Sequence, residues 1–166
     1  MSAVISVCKR YRYSLYRQWD LDLSRMPILW VMLNPSTADS TQDDPTIRRC
    51  INFSKEWGYP AMWVGNVYAY RTAYPNELFD LPTEERYGEE NNSYLWRMAR
   101  CCALTVCAWG ASGPAVPQNI RNMKSPGGLW CLGTTKGGHP KHPLYLPKST
   151  TLREFPKGEV YAPSIL

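Results

Sequence analysis

The chain has no apolar run near the roughly 18 residues that a helix needs to cross a bilayer. Its first residues reach Lys9 and Arg10 too early to form the apolar segment of a signal peptide. Internal repeats and low-complexity tracts are also missing from the sequence. We therefore expect a cytoplasmic protein that has no membrane partner and is not a repeat array.

Paired metal-binding cysteines are also missing. The six cysteines of the chain show none of the spacings typical of zinc, haem or iron–sulfur sites. Four cysteines lie in or beside apolar runs, which predicts buried thiols: Cys101, Cys102, Cys107 and Cys131. We expect neither a metal nor another cofactor.

The composition is that of a soluble globular protein, with 44% hydrophobic and 20% charged residues in a chain of 166. This length predicts a single domain with a substantial core. The formal net charge is +5, and many of the tryptophans and tyrosines lie near Arg or Lys. Positive charge together with aromatic rings favours a nucleic-acid partner, although the same rings could fill the core.

An uninterrupted apolar run from Ile28 to Leu33 ends at the polar turn Asn34-Pro35-Ser36-Thr37. A run of this kind, bounded by turn residues, predicts a strand buried on both faces at the centre of a parallel sheet. Ligands of open α/β sheets bind beyond the carboxyl ends of such strands. Asn34 is therefore a candidate site residue, and the alternative is a simple turn.

Two further patterns are clear near the start of the chain. Alternation from Lys9 to Trp19 predicts a half-exposed strand at a sheet edge or in an N-terminal hairpin, with outward-facing arginines that either protect the edge or contact phosphates. Asp44, followed by Pro45, predicts the start of a helix that Gly58 ends. The remaining predicted elements are strands at 61–67, 103–109 and 129–134, helices at 89–101 and 118–124, and an irregular loop at 70–82.

Strands that alternate with helices predict a parallel sheet covered on both faces. Its carboxyl edge would bring together Asn34, Asn66 and the loop after the fourth strand, which holds His139 and His142. A buried Asn66 must either brace a neighbouring loop or bind a ligand, because a buried amide needs partners. We therefore predict an active site at this edge.

Several motifs recur in the order found in a bacterial and phage family of unknown function: MLNPSTAD, DDPTIRRC, WGYPAMWVGNVYAYR, CAWG and CLGTTKGGHPKHPLYL. The resemblance covers roughly residues 9–147 and leaves 148–166 as a C-terminal extension of the single domain 1–166. The chain also resembles the uracil-DNA glycosylase superfamily in the loop at Asn34-Pro35-Ser36, the strand around Asn66, the sequence from Val106 to Gly110, and His142-Pro143-Leu144.

The second resemblance implies a three-layer α/β/α fold with a central, mainly parallel four-stranded sheet and an N-terminal edge strand or hairpin. It also implies a monofunctional DNA glycosylase that hydrolyses the N-glycosidic bond of a modified pyrimidine and leaves an abasic site. Asn34 would orient the water, and a neutral His142 would stabilise the departing base. Asn66 would bind the Watson–Crick edge of a flipped-out base. His139 in place of His142, and assistance from an aspartate (Asp39, Asp43 or Asp44), stay open.

Uracil-specific members of that superfamily place a Tyr where this chain has Ser36. The resemblance therefore implies a pocket open at C5 of the base, suited to hydroxymethylated or glucosylated pyrimidines, with Pro35 and Phe53 as further pocket residues. Cations would hold phosphates and an apolar side chain would enter the duplex, which gives as candidate DNA contacts Arg48, Lys136, Lys141, Leu144, Tyr145 and Lys148.

We expect a monomer that acts on double- or single-stranded DNA in anti-phage defence or base-excision repair. Two alternatives come from other classes of protein. One is a module that binds a modified base or nucleotide without cutting it, and the other is a hydrolase of free nucleotides.

Overall fold

A computed structural model describes residues 1–22, 24–36 and 38–156. Its strands are β1 (Ser2–Ile5), β2 (Arg12–Gln18), β3 (Ile28–Met32), β4 (Ala61–Asn66), β5 (Thr105–Cys107), β6 (Leu129–Cys131) and β7 (Arg153–Glu154). Its helices are α1 (Pro45–Glu56), α2 (Pro75–Asp80), α3 (Thr83–Tyr87), α4 (Asn91–Arg100) and α5 (Gln118–Arg121), followed by a 3-10 turn at Pro143–Tyr145. None of these helices is long and apolar enough to span a membrane.

The described strands form one mixed sheet in the order β1-β2-β4-β3-β5-β6-β7. β3 pairs in parallel with both β4 and β5, and β5 pairs in parallel with β6. β1, β2 and β7 join by antiparallel pairing on the two sides. The predicted α/β class is confirmed. The sheet is larger than predicted, and β7 was missed because a two-residue strand has no measurable alternation.

β3 separates two hydrophobic cores because its successive side chains point to opposite faces. Leu29 and Val31 belong to the core that α4 and α5 complete. Trp30 belongs to the core that α1 completes, and its indole N–H donates to Ser54 Oγ of that helix at 2.9 Å. Helices therefore cover both faces of the sheet, and the predicted burial of this strand is confirmed.

Helix α1 begins and ends where the sequence predicts. The Asp44 carboxylate accepts a hydrogen bond from the Ile47 N–H at 2.8 Å, and Pro45 occupies the first turn, where a missing N–H does no harm. Trp57 closes the helix, and Gly58 follows with a φ of +80°. The N-terminus of α1 lies beside the carboxyl ends of the parallel strands.

The prediction for the arginine-rich strand was wrong about its exposure. β2 is an inner strand between β1 and β4, and Arg12 and Arg17 are each only 2% exposed. The hairpin alternative is the correct one, because Ser2–Ile5 supplies the outer strand. The loop between β3 and α1 then covers both guanidinium groups, which bind its carbonyl oxygens.

Two smaller predictions also need correction. The predicted irregular loop at 70–82 contains α2, whose Leu78 is fully buried. Cys102, Cys107 and Cys131 are buried as predicted, but Cys101 is exposed because it follows α4 on the solvent side. The predicted C-terminal extension 148–166 lies only partly within the described residues, which end at Pro156.

Gly65 provides a test of how β4 packs on α4. A Cβ at this position would lie 2.5 Å from Leu95 Cδ2 and 2.9 Å from Met98 Cε, both in α4. We expect Gly65→Ala to lower the free energy of unfolding by about 1–3 kcal/mol because the core has no room for the methyl group. Urea denaturation measures this loss. In a Leu95→Ala background most of it should vanish, and an equal loss in both backgrounds would contradict the packing explanation.

Candidate functional site

A cavity of about 640 Å³ lies at the carboxyl edge of the parallel strands. The segments that follow β3, β4, β5 and β6 each contribute to its wall, as does the N-terminus of α1. Asn34, Asn66 and His142 all line it. The structure thus brings together the three side chains that the sequence predicts at this edge.

Asn34 is half-buried, and its amide has a fixed orientation. Its Nδ2 group donates to Thr72 O at 2.9 Å and to Pro35 O at 3.2 Å. Both N–H groups therefore face carbonyl oxygens of the neighbouring loops. Oδ1 receives no hydrogen bond from the described residues, so it is the atom that can accept one from a ligand or a water in the cavity.

Asn66 is fully buried, and neither its Nδ2 nor its Oδ1 has a hydrogen-bond partner among the described residues. The loop after β4 is braced by other amides instead. Asn91 Nδ2 donates to Asn66 O and Val67 O, and Asn119 Nδ2 donates to Val67 O, each at 3.0 Å. Among the described residues, the side chain of Asn66 therefore braces no loop. Its amide offers an adjacent donor and acceptor to the cavity.

His142 is half-buried, and its proton can be assigned. The Leu144 N–H donates to its Nδ1 at 3.3 Å, so the neutral imidazole carries hydrogen on Nε2. Burial lowers the pKa of His142 below its ordinary 6.5, an effect that nearby Asp44 partly opposes. The neutral form therefore dominates at neutral pH, with Nε2–H as a donor. His139 does not belong to the cavity wall.

Gly110 allows the His142 loop to reach the cavity. It follows β5 with a φ of +76°, and its N–H donates to Pro140 O at 3.0 Å. A Cβ at Gly110 would lie 3.4 Å from the Cβ of His142. The glycine thus permits a left-handed backbone at a place where two loops touch.

Among the three aspartates considered from the sequence, Asp44 alone lines the cavity. Asp43 forms an ion pair with the Arg17 guanidinium, Nε to Oδ1, at 2.8 Å. Asp39 accepts hydrogen bonds from the backbone N–H groups of Thr41 and Gln42, which lower the pKa of its carboxyl. Asp44 uses Oδ1 to cap α1, and its carboxylate places a negative charge beside His142.

Two of the predicted pocket residues do not line the cavity. Phe53 lies on the sheet-facing side of α1, with its ring 5.2 Å from that of Trp57 and 6.2 Å from that of Trp30. Its assignment to the pocket was wrong, because α1 directs this position into the core. Pro35 is buried outside the wall and holds the loop through its carbonyl oxygen. Ser36 does line the cavity.

The predicted DNA contacts divide into two groups. Lys141, Leu144 and Tyr145 line the cavity, and Tyr145 is 83% exposed. The others are exposed but lie outside its wall: Arg48, Lys136 and Lys148. Arg48 donates to Asp43 O, and Lys148 lines a separate small pocket beside α1.

Sequence reasoning missed several wall residues, namely Arg12, Thr46, Thr72, Trp109, Ala111, Ser112 and Thr135. Those that follow β5 and β6 could have been found by the rule that identified Asn34, since they too follow parallel strands. Thr72 lies in the segment that follows β4 and could have been found by the same rule. Arg12 begins β2, an antiparallel strand, and no pattern in the sequence places it here.

The unpartnered amide of Asn66 predicts an unusual stability effect. We expect Asn66→Leu to raise the free energy of unfolding of the ligand-free protein by about 1 kcal/mol. Leucine is similar in size to asparagine, and the substitution removes a buried amide that has no hydrogen-bond partner among the described residues. Asn91→Leu is the matched control, and it should lower that free energy by about 1–3 kcal/mol, because two carbonyl groups lose their donor. Urea denaturation of both variants decides, and equal losses would contradict the assignment.

Comparison with known proteins gives a family but no activity. The model of a family described as "Protein of unknown function (DUF1643)" matches residues 12–144. No curated protein and no solved structure matches the chain. The matched range runs from the start of β2 through His142 and so includes nearly all of the cavity wall. The protein belongs to this family of unknown function.

Proposed function

We propose that the protein is a DNA glycosylase that hydrolyses the N-glycosidic bond of a C5-substituted pyrimidine and leaves an abasic site. The observation that carries this proposal is the buried amide of Asn66, which has no partner among the described residues and lines one cavity with Asn34 and His142. An adjacent donor and acceptor match the Watson–Crick edge of a pyrimidine.

The size of the cavity supports a substituted base. Ligand pockets of about 300–1,000 Å³ are usual, and this one measures about 640 Å³. A pyrimidine nucleoside with an additional group at C5 fits such a volume. Ser36 contributes a small side chain to the wall, where the uracil-specific enzymes that this chain resembles place a Tyr.

The proposed reaction breaks the bond between C1′ of the sugar and the base nitrogen, and the bonding electrons leave with the base. Asn34 Oδ1 accepts a hydrogen bond from the water that attacks C1′. The Asp44 carboxylate offsets the positive charge that develops on the sugar and accepts the proton that the water loses. His142 Nε2–H donates to an oxygen of the departing base anion.

The mouth of the cavity favours DNA over a free base. Leu144 and Tyr145 are 39% and 83% exposed, so either side chain can enter the space that a flipped-out nucleotide leaves. Lys141 lies beside them, and the chain has a net charge of +5. The resemblance to the uracil-DNA glycosylase superfamily, including its three-layer fold with a mainly parallel central sheet, is part of this proposal.

An abasic-site assay tests the activity. DNA duplexes and single strands that carry normal, deaminated, hydroxymethylated or glucosylated pyrimidines are incubated with the protein and then cleaved with alkali. We expect strand breaks at a C5-substituted pyrimidine and a loss of about 100-fold or more in Asn34→Ala. Asn122→Ala, at an exposed amide outside the cavity, is the control. Absence of breaks on every substrate, or full activity of Asn34→Ala, would sink the proposal.

The rate should also depend on pH through His142. Burial lowers its pKa, so Nδ1 gains a proton and loses the Leu144 N–H contact that orients the ring only when the pH falls through a value below 6.5. We expect an acid limb below that pH in the single-turnover rate of base release, and Asn in place of His142 should remove this limb. The same group favours folding when it is neutral, so its contribution to stability is lost as pH falls below 6.5. A rate that falls with an apparent pKa at or above 6.5 would contradict the assignment.

A second candidate function is that of a module that binds a modified base without cutting it. The observation in its favour is that the Asn34 amide nitrogen already holds two carbonyl groups, so the residue has a structural role. An Asp at this position would set a carboxylate against both carbonyl oxygens. Tight binding to modified DNA without abasic sites would favour this function.

A further inference from the structure

Arg12 is a buried cation in the wall of the cavity, and the proposed reaction does not use it. Its side chain is 2% exposed. Nη1 donates to Ala38 O at 2.6 Å, whereas Nε is buried without a partner among the described residues. The ion pairs of the described chain do not include Arg12. A guanidinium carries five N–H donors, and the acceptor that the described residues provide for them is Ala38 O.

Arg17, the other buried arginine of β2, has a structural role and serves as a comparison for Arg12. It is also 2% exposed. Its guanidinium forms an ion pair with Asp43 and donates to backbone oxygens of Tyr16, Asp39 and Gln42. Both arginines reach the loop between β3 and α1, but Arg17 alone is neutralised by contact with a carboxylate. Arg17 does not line the cavity.

A change of register directs Arg12 towards the cavity. Val4 of β1 lies opposite Ser14, and Ile5 lies opposite Arg12, so Tyr13 is an extra residue in β2. Tyr13 stacks on Tyr94 of α4 at 5.2 Å, on the face opposite to α1. Bulges of this kind redirect side chains and are frequent next to active sites. Without the bulge, Arg12 and Arg17 would point to opposite faces of the sheet.

The charges around Arg12 leave it positive and only partly compensated. Burial is the main cause that lowers its pKa to about 10, which is still well above neutral pH, and nearby Arg71 and Arg17 contribute to this lowering. Asp44 and Asp39 oppose this effect from a distance. Asp44 lines the same cavity, but no ion pair joins it to Arg12, and its Oδ1 caps α1. A buried charge without a contacting counter-charge destabilises a fold unless a ligand supplies one.

We propose that Arg12 forms an oxyanion-binding subsite of the cavity and binds a carboxylate or phosphate group of the ligand. The unused N–H groups of a guanidinium bind such groups through two parallel hydrogen bonds. Arg12 begins β2 beside the carboxyl end of β4, which carries Asn66. The backbone N–H of Arg12 donates to Ala69 O at 3.0 Å. The ligand would therefore combine an amide-like edge for Asn66 with an anionic group for Arg12.

Binding measurements with three probes test the subsite and separate the two sources of the anion. Isothermal titration compares uridine, uridine 5′-monophosphate and 5-carboxyuridine at constant ionic strength. We expect at least one anionic probe to bind about 10- to 100-fold more tightly than uridine, the range that a charge-assisted hydrogen bond supplies. Preference for the monophosphate would identify a phosphate subsite, and preference for 5-carboxyuridine would identify a subsite for an acidic base substituent.

Two variants assign the effect to Arg12. The preference for the anionic probe should disappear in Arg12→Gln. It should persist in Arg71→Gln, which removes a nearby positive charge outside the cavity wall. Equal binding of all three probes to the unaltered protein overturns the proposal, and so does a preference that survives in Arg12→Gln or is lost in Arg71→Gln.

A measurement on the unaltered protein covers the case in which Arg12→Gln does not fold. The Arg12 Nε–H resonance, assigned through bonds from the Arg12 backbone, should shift when inorganic phosphate or the favoured probe is added. A resonance that stays in place overturns the proposal. None of these measurements requires bond cleavage, so a protein that fails every glycosylase assay can still pass them, and the two proposals fail separately.

Discussion

Met32 at the end of β3 lies opposite Asn66 at the end of β4, and the two segments stay hydrogen-bonded beyond that pair. Val67 N donates to Met32 O at 2.8 Å, and Tyr68 N donates to Leu33 O at 2.9 Å. This parallel register places both strand ends at one edge of the sheet. A slip of one residue would turn Asn66 to the other face. The candidate site therefore depends on the β3–β4 pairing more than on any side-chain contact.

Buried polar groups divide the protein into a scaffold and a site. In the scaffold, Arg17 and the amide nitrogens of Asn91 and Asn119 have defined acceptors, which hold the loops around the cavity. In the wall of the cavity, Arg12 and Asn66 retain buried atoms without partners among the described residues. Such groups lower stability in the ligand-free protein. In the wall of the cavity, a ligand can supply the missing partners.

Much of the site could be predicted because it follows from local rules. Asn34 and Asn66 end apolar runs, and polar residues at the ends of parallel strands converge. His142 was found in the same way, and its tautomer came only from the Leu144 N–H contact. Phe53 was misplaced because helical period alone does not say which side of α1 faces the sheet. Arg12 was missed because charge in an alternating strand usually marks a solvent-exposed face.

The sequence alone determined the buried strand β3, the capped helix α1 and the α/β class, because each depends on residues close together in the chain. Tertiary structure decided the rest. An added outer strand made β2 an inner one, and a bulge at Tyr13 turned Arg12 into the cavity. Neither feature can be predicted from the local sequence pattern, since both depend on which segments pair across the sheet. Pairing between distant segments is a property of the folded chain.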